Sequence, residues 1–129
     1  MRNMLLMAAL LLATLSQPAH AFLSTADAIQ WLDKGGQQST AARMYISGMA
    51  EAYWAASVAG KEDGKAVICF PKTQNLQTEE LQLMAVLSLK KYLNSFGSAP
   101  DEIKAKQQFL KNPASMALLI AWIAEYPCN

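Results

Sequence analysis

The sequence predicts an all-α protein, a small compact bundle of four to five helices held by one disulfide. Two observations lead to the helices. Apolar residues recur every three or four positions over most of the chain, and glycines and prolines divide that pattern into segments. A third observation leads to the disulfide, because an N-terminal export signal directs two cysteines to an oxidising compartment.

Residues 1–21 have the three parts of a secretory signal peptide. Arg2 gives a basic start, residues 5–15 are apolar, and residues 19–21 read Ala-His-Ala, the small-residue arrangement that precedes a cleavage site. A membrane span needs about 20 apolar residues, so an uncleaved anchor is disfavoured. We therefore expect cleavage after Ala21, which leaves residues 22–129 as a single helical domain in the periplasm.

The mature domain carries no net charge at pH 7. Without Arg2, 10 of the 11 basic residues remain beside 10 acidic ones, so neither nucleic acid nor an anionic membrane is an expected partner. The one histidine, His20, lies in the signal segment, which removes histidine-based nucleophile pairs and disfavours a four-ligand zinc site. The sequence therefore predicts no catalytic residue, no cofactor and no metal, and we expect a protein that is not an enzyme.

Cys69 and Cys128 are the two cysteines of the chain. In an oxidising compartment an even count indicates a disulfide, and two cysteines allow one intramolecular pairing, Cys69 with Cys128. Two unpaired thiols, or a bridge between two chains, are the alternatives. A bond that closes so long a loop stabilises the fold by about 4 kcal/mol in the chain-entropy model.

Two helices are predicted in the first half of the domain. Residues 24–25 (Ser-Thr) can cap the first, over residues 26–34, and the glycines at 35–36 stop it. Ser39 or Thr40 can cap the second, which runs to about Ala59 and ends at Gly60. Trp54 lies beside its apolar stripe, where it packs into a neighbouring groove or, if exposed, anchors an interface. The stripe consists of Ala42, Tyr45, Ile46, Met49, Tyr53 and Ala56.

A non-helical stretch follows and leads into the third predicted helix. Residues 60–64 form a charged turn, residues 65–70 are extended up to Pro71, and residues 72–77 form a polar loop. Thr78 then caps a helix whose first turn carries two glutamates, as the helix dipole favours, and which Gly97 ends. Its inner side consists of Leu81, Met84, Ala85, Leu89, Tyr92, Leu93 and Phe96.

Two more helices complete the domain. A polar helix is predicted over residues 100–110. Asn112 as cap and Pro113 at the first helical position begin the last helix, which Pro127 terminates. Between residues 114 and 124 only Ser115 is polar, so this helix is expected at the centre of the core, buried on nearly all sides.

Three short stretches occur in an order typical of one protein family. Residues 45–48 (Tyr-Ile-Ser-Gly) begin the sequence of motifs, residues 69–71 (Cys-Phe-Pro) follow a charged turn, and residues 126–128 (Tyr-Pro-Cys) close an Ala/Leu-rich helix. In this order, the chain resembles the Rap/Tai family of periplasmic immunity proteins of bacterial type VI secretion systems. The resemblance covers roughly residues 42–128.

The resemblance implies both a fold and a function. Members of the family are small helical disulfide proteins, often dimeric, that bind peptidoglycan-cleaving amidase effectors and occlude the active-site groove with loops and helix ends. It therefore implies a cognate amidase as protein partner, and a homodimer as a further option. Ala42 stands where many members have a disulfide-bonded cysteine, whereas Glu51 matches an acidic position common in the family.

The contact surface for an amidase is expected in the polar loops rather than on the apolar stripes. For each loop residue the alternative is an ordinary solvated turn that contacts no partner. The candidate effector-contact residues are Lys61, Glu62, Asp63, Lys72, Gln74 and Asn75.

Two other function classes are considered. A small periplasmic stress chaperone would have a similar size and a single disulfide. A carboxylate-based glycosidase would use two of the 10 acidic residues. No such pair stands on an apolar background, and Glu79 and Glu80 are explained as charges at a helix start.

Overall fold

The computed structural model describes residues 22–71 and 76–128. Over these ranges the chain forms an all-α bundle with one disulfide, which confirms the predicted fold class. No helix in the described ranges is long and apolar enough to cross a membrane, and the predicted signal peptide lies outside them. The helices are α1 (Thr25–Lys34), α2 (Gly36–Glu62), α3 (Thr78–Asn94), α4 (Pro100–Lys111) and α5 (Ala114–Glu125).

The start of α1 is tied to the junction between α4 and α5. Ser24 caps α1 as predicted, because its hydroxyl accepts the Asp27 N–H at 3.1 Å. The backbone N–H and the hydroxyl of Thr25 both donate to the Asn112 carbonyl, at 2.9 and 2.8 Å. Asn112 is therefore not the cap of α5: Pro113 occupies the N-cap position and the helix begins at Ala114.

The bounds predicted for α2 are wrong at both ends. Gly35 adopts a φ of 73°, a left-handed conformation that glycine tolerates, and so separates α1 from α2 by a single residue. α2 therefore begins at Gly36, and no side chain caps it. At the other end Gly60 does not stop the helix, which continues to Glu62. A Cβ at Gly60 would lie 3.0 Å from the backbone of Ala66, so the close approach of the next segment favours glycine at this position.

α2 and α3 pack as antiparallel neighbours. The Thr78 hydroxyl donates to Glu51 at 2.5 Å, and the Gln82 amide donates to the Ser47 hydroxyl at 2.7 Å. The predicted stripe of α2 is buried at Ala42 and Ile46, and its other members are partly buried except Ala56, which is exposed. Ser39, Ala50 and Ser57 are the buried positions of α2 that the predicted stripe did not include.

Trp54 is half-buried and packs against the core, which answers the question that the sequence left open. Its indole N–H is buried and has no hydrogen-bond partner within the described residues. Large aromatic side chains supply much of the apolar contact area in a small core. Trp54 is therefore a packing residue of α2 and not an exposed interface anchor.

The caps of α3 differ from the prediction, and α4 agrees closely with it. Gln77, not Thr78, is the N-cap of α3, and its N–H donates to the Glu80 carboxylate at 3.0 Å. α3 ends at Asn94, three residues before the predicted stop. The predicted inner side of α3 packs on the core, and Val86 and Ser88 are two further buried positions that the prediction missed. α4 contributes the buried ring of Phe109, whose centroid lies 5.0 Å from that of Tyr92.

α5 is a core helix on one face only. Trp122 is fully buried, and its ring contacts Phe70 edge-on at 5.0 Å between centroids. The opposite face is not covered, since Met116 is 49% and Ile123 is 41% exposed. The prediction of a helix buried on nearly all sides is therefore wrong. The buried face consists of Ala114, Ala117, Leu118, Ala121 and Trp122.

Candidate functional site

The disulfide joins the middle of the chain to its C-terminal end. Cys69 and Cys128 are bonded, as predicted, with their Cα atoms 5.1 Å apart. The Cys69 N–H donates to the Tyr126 carbonyl at 2.8 Å, and the Phe70 and Tyr126 ring centroids are 5.0 Å apart. We call these four residues the clasp. They bring together the two cysteine-containing motifs of the sequence, which are 59 residues apart along the chain.

Residues 65–71, which we call the clasp segment, contain Cys69 and Phe70; they form neither helix nor strand, and the chain bends at residues 67 and 71. The backbone of this segment is held by side chains of α2: the Ser57 hydroxyl donates to the Ile68 carbonyl at 2.5 Å, and Lys61 Nζ donates to the Phe70 carbonyl at 3.2 Å. Ile68 and Phe70 are buried in the core. Side-chain hydrogen bonds therefore replace the strand neighbour that a buried backbone would otherwise need.

The charged turn is shorter than predicted. Lys61 and Glu62 belong to the last turn of α2, Asp63 is its C-cap, and only residues 63–64 form the turn. All three candidate contact residues are exposed, as the contact hypothesis requires. Lys61 also has a structural role, because its ammonium group binds the Phe70 carbonyl. Glu62 and Asp63 are thus better tests of partner binding than Lys61.

The other three candidate contact residues, Lys72, Gln74 and Asn75, lie outside the described residues. The chain on both sides of them is held by the core. Phe70 is buried two residues before Lys72, and Leu76 packs against the core one residue after Asn75. The end of α2 therefore carries Lys61, Glu62 and Asp63, just before the clasp segment begins. The contact hypothesis for Lys72, Gln74 and Asn75 stays a prediction.

A polar cluster between α3 and α5 was not foreseen from the sequence. The Glu125 carboxylate accepts from Lys91 Nζ at 2.8 Å and from the Ser88 hydroxyl at 2.5 Å. Burial raises the pKa of Glu125, but the hydrogen bonds from Lys91 and Ser88 outweigh it and hold the pKa below the usual glutamate value. No local sequence pattern indicates this pairing, because Lys91 and Ser88 are 34 and 37 positions from Glu125.

The cluster borders a groove of about 240 Å³. Sites for metabolites and cofactors typically enclose about 300–1,000 Å³, so the groove is small for such a ligand. Its charged groups also satisfy one another, since Lys91 and Glu125 form an ion pair. We interpret the cluster as a link between α3 and α5.

The described residues include no group of three or more histidine, cysteine, aspartate or glutamate side chains that could hold a metal ion. Glu80, one member of the glutamate pair at the start of α3, binds the Gln77 N–H and so has a structural role at the helix start. Comparison with protein-family models, with curated proteins and with solved structures found no match. Function is therefore argued from the motifs and the geometry.

Proposed function

We propose that residues 22–129 form a periplasmic immunity protein that binds and inhibits a cognate peptidoglycan amidase effector of a type VI secretion system, and so protects the producing cell. The observation that carries the proposal is the ordered set of motifs at residues 45–48, 69–71 and 126–128, which resembles the Rap/Tai family. The disulfide adds support, because such bonds are typical of oxidising compartments such as the periplasm.

The positions of the motif residues in the fold explain why that order would persist in a family. Ile46 is fully buried in α2, and Phe70 packs between Tyr126 and Trp122. Cys128 then bonds Cys69 beside these rings. The motifs therefore build the scaffold, and the surface that selects a particular amidase lies elsewhere.

An inhibitor that occludes an active-site groove needs a rigid contact surface and no catalytic group of its own. The end of α2 offers Glu62 and Asp63 to solvent, and the following segment is fixed by Lys61 and by the disulfide. Binding by a surface that is already ordered avoids much of the entropy cost of immobilising it. We therefore place the amidase contact at the end of α2. Lys72, Gln74 and Asn75 stay candidate contacts on their sequence alone, and we expect no catalytic activity from this chain.

The direct test is binding between the mature chain and type VI amidases from the same genome. We expect one amidase to form a complex that elutes as one species, and light scattering of the unbound protein to report whether it is a homodimer. Charge reversal of Glu62 and Asp63 should weaken the complex, whereas Lys104→Glu, an exposed change on α4, should not. Absence of a complex with every such amidase, and normal survival of a deletion strain among its siblings, would contradict the proposal.

A periplasmic stress chaperone is the second candidate. It is favoured by the apolar side chains that the fold leaves exposed, since chaperones bind clients through apolar surface. Suppression of aggregation of an unrelated client, measured between pH 3 and pH 7, separates the two functions: a dedicated inhibitor shows none. The exposed apolar side chains in the described ranges include Met44, Val67, Leu83, Leu87, Ile103, Met116 and Ile123.

A further inference from the structure

A small cleft lies where α2, the clasp segment and α5 meet. Its volume is about 160 Å³, and Ala56 of α2, Val67 of the clasp segment and Leu119 of α5 form its walls. Ile68, which is buried, also lines it. Leu119 is distant in the sequence from Ala56 and Val67, so the cleft forms only when α5 packs beside α2 and the clasp segment.

The two hydroxyl groups at the cleft, those of Tyr53 and Ser57, already have hydrogen-bond partners within the protein. The Tyr53 hydroxyl donates to the Ser115 carbonyl at 2.9 Å, and the Ser57 hydroxyl donates to the Ile68 carbonyl. What the cleft offers to a ligand is therefore mainly apolar surface. Val67 contributes accessible apolar surface at the mouth of the cleft, since its side chain is 62% exposed.

The volume limits the kind of group that fits. In another protein an apolar cavity of about 150 Å³ holds benzene, whereas metabolite sites enclose about 300–1,000 Å³. At about 160 Å³ the cleft matches one leucine, methionine or phenylalanine side chain. A single apolar side chain that fills a pocket is the usual anchor of a protein–protein contact.

The charge at the rim indicates what stands beside that side chain. Lys65 is exposed and is the charged residue that lines the cleft. Within the described ranges it makes no ion pair, because the two salt bridges found there use Lys90 and Lys91. The adjoining face of α5, from residue 114 to 124, carries no charge at all. A carboxylate next to the inserted side chain would complement Lys65.

We propose that this cleft is an anchoring site for a protein partner that inserts one apolar side chain and pairs a neighbouring carboxylate with Lys65. The inference rests on the proposed function, and the partner is then the amidase effector. The cleft continues the contact surface at the end of α2: Lys65 follows Asp63 by two residues, and its N–H donates to the Gly60 carbonyl at 2.7 Å.

The test measures the affinity of the mature chain for the amidase by calorimetry. Val67→Asp places a charge in the mouth of the cleft and should weaken binding by about 30-fold or more, the effect of losing a central anchor. Ala56→Trp, from an exposed helix position, fills the cleft and should do the same. Lys65→Glu should weaken binding about tenfold, mainly by slowing association.

Leu87→Asp is the matched control, because Leu87 is a 57% exposed apolar residue on α3 that does not line the cleft. Its affinity should stay within about twofold of the wild type. Circular dichroism checks that each variant is folded. If only one of Val67→Asp and Ala56→Trp folds, that variant alone tests the anchoring site.

The outcomes separate the two proposals. Wild-type affinity in folded Val67→Asp and Ala56→Trp overturns the anchoring site and leaves the immunity function standing. A wild-type dimer that Val67→Asp dissociates, with amidase affinity unchanged, also overturns it and assigns the cleft to a second copy of the chain. No amidase binding by the wild-type protein overturns the immunity function together with the anchoring site.

Discussion

Replacement of Cys128 by serine removes the covalent half of the clasp and leaves its other contacts in place. The bond spans a sequence separation of 59 residues, for which the chain-entropy model gives a stabilisation of about 4 kcal/mol. Domains of this size have a net stability of about 5–15 kcal/mol, so the loss is a large share of the total. With at least about 4 °C per kcal/mol, we expect the Tm to fall by about 15 °C or more.

The assay is thermal and urea unfolding of the mature chain, followed by circular dichroism at 222 nm. Cys69→Ser/Cys128→Ser is the control, because it removes the disulfide without leaving an unpaired thiol to form a bridge between chains. Both variants should keep their helical signal at 20 °C, since the Cys69 N–H still reaches the Tyr126 carbonyl and Lys61 still holds Phe70. A Tm within about 3 °C of the wild type would refute the reasoning.

Three further predictions concern single side chains. Gly48→Ala should stabilise α2 by about 1 kcal/mol, because a Cβ at this position meets nothing within 4 Å. Gly60→Ala should destabilise the fold, because its Cβ would meet the Ala66 backbone at 3.0 Å. Urea unfolding measures both changes. Ser57→Ala should cost about 1–3 kcal/mol in urea unfolding, because the buried Ile68 carbonyl loses its hydrogen bond. Folding lowers the pKa of Glu125, so the ionised carboxylate stabilises the fold above the unfolded glutamate pKa of about 4.3. The stability lost in Glu125→Gln should be present at pH 7 and should disappear as the pH falls through the lower folded pKa, which urea unfolding at several pH values measures.

Each of these predictions has an outcome that contradicts it. Equal changes in the free energy of unfolding for Gly48→Ala and Gly60→Ala would mean that the Ala66 backbone leaves room for a Cβ at position 60. A neutral Ser57→Ala would mean that water reaches the Ile68 carbonyl. A Glu125→Gln stability difference that persists unchanged at pH 3 would mean that the hydrogen bonds of the carboxylate, and not its charge, contribute.

Helix number and type, and most of the buried positions of α2 and α3, could be predicted from the sequence because they follow from local spacing. Ser24 caps α1 as predicted, since its hydroxyl needs to reach only a backbone N–H three residues away. Gly60 was misread as a helix stop because its reason is a backbone segment that returns to it. The exposed face of α5 was misjudged because composition shows that a helix is apolar and not how many neighbours cover it.

The candidate site likewise has one feature that the sequence predicts and others that it does not. The pairing of Cys69 with Cys128 was predictable from the cysteine count and the export signal, without knowledge of the fold. The Lys91–Glu125 pair and the cleft beside Val67 were missed, because they depend on how α3 and the clasp segment meet α5. The sequence pattern contains no local signal for contacts that only the tertiary packing creates.

An immunity protein must stop its cognate amidase from cleaving peptidoglycan, so the decisive experiment is an inhibition assay. Peptidoglycan hydrolysis by the cognate type VI amidase is followed while the mature chain is added in increasing amounts. We expect hydrolysis to stop near an equimolar amount of the chain and to proceed when the chain is heat-denatured before addition. Full hydrolysis in the presence of excess folded chain, for every type VI amidase of the same genome, would contradict it.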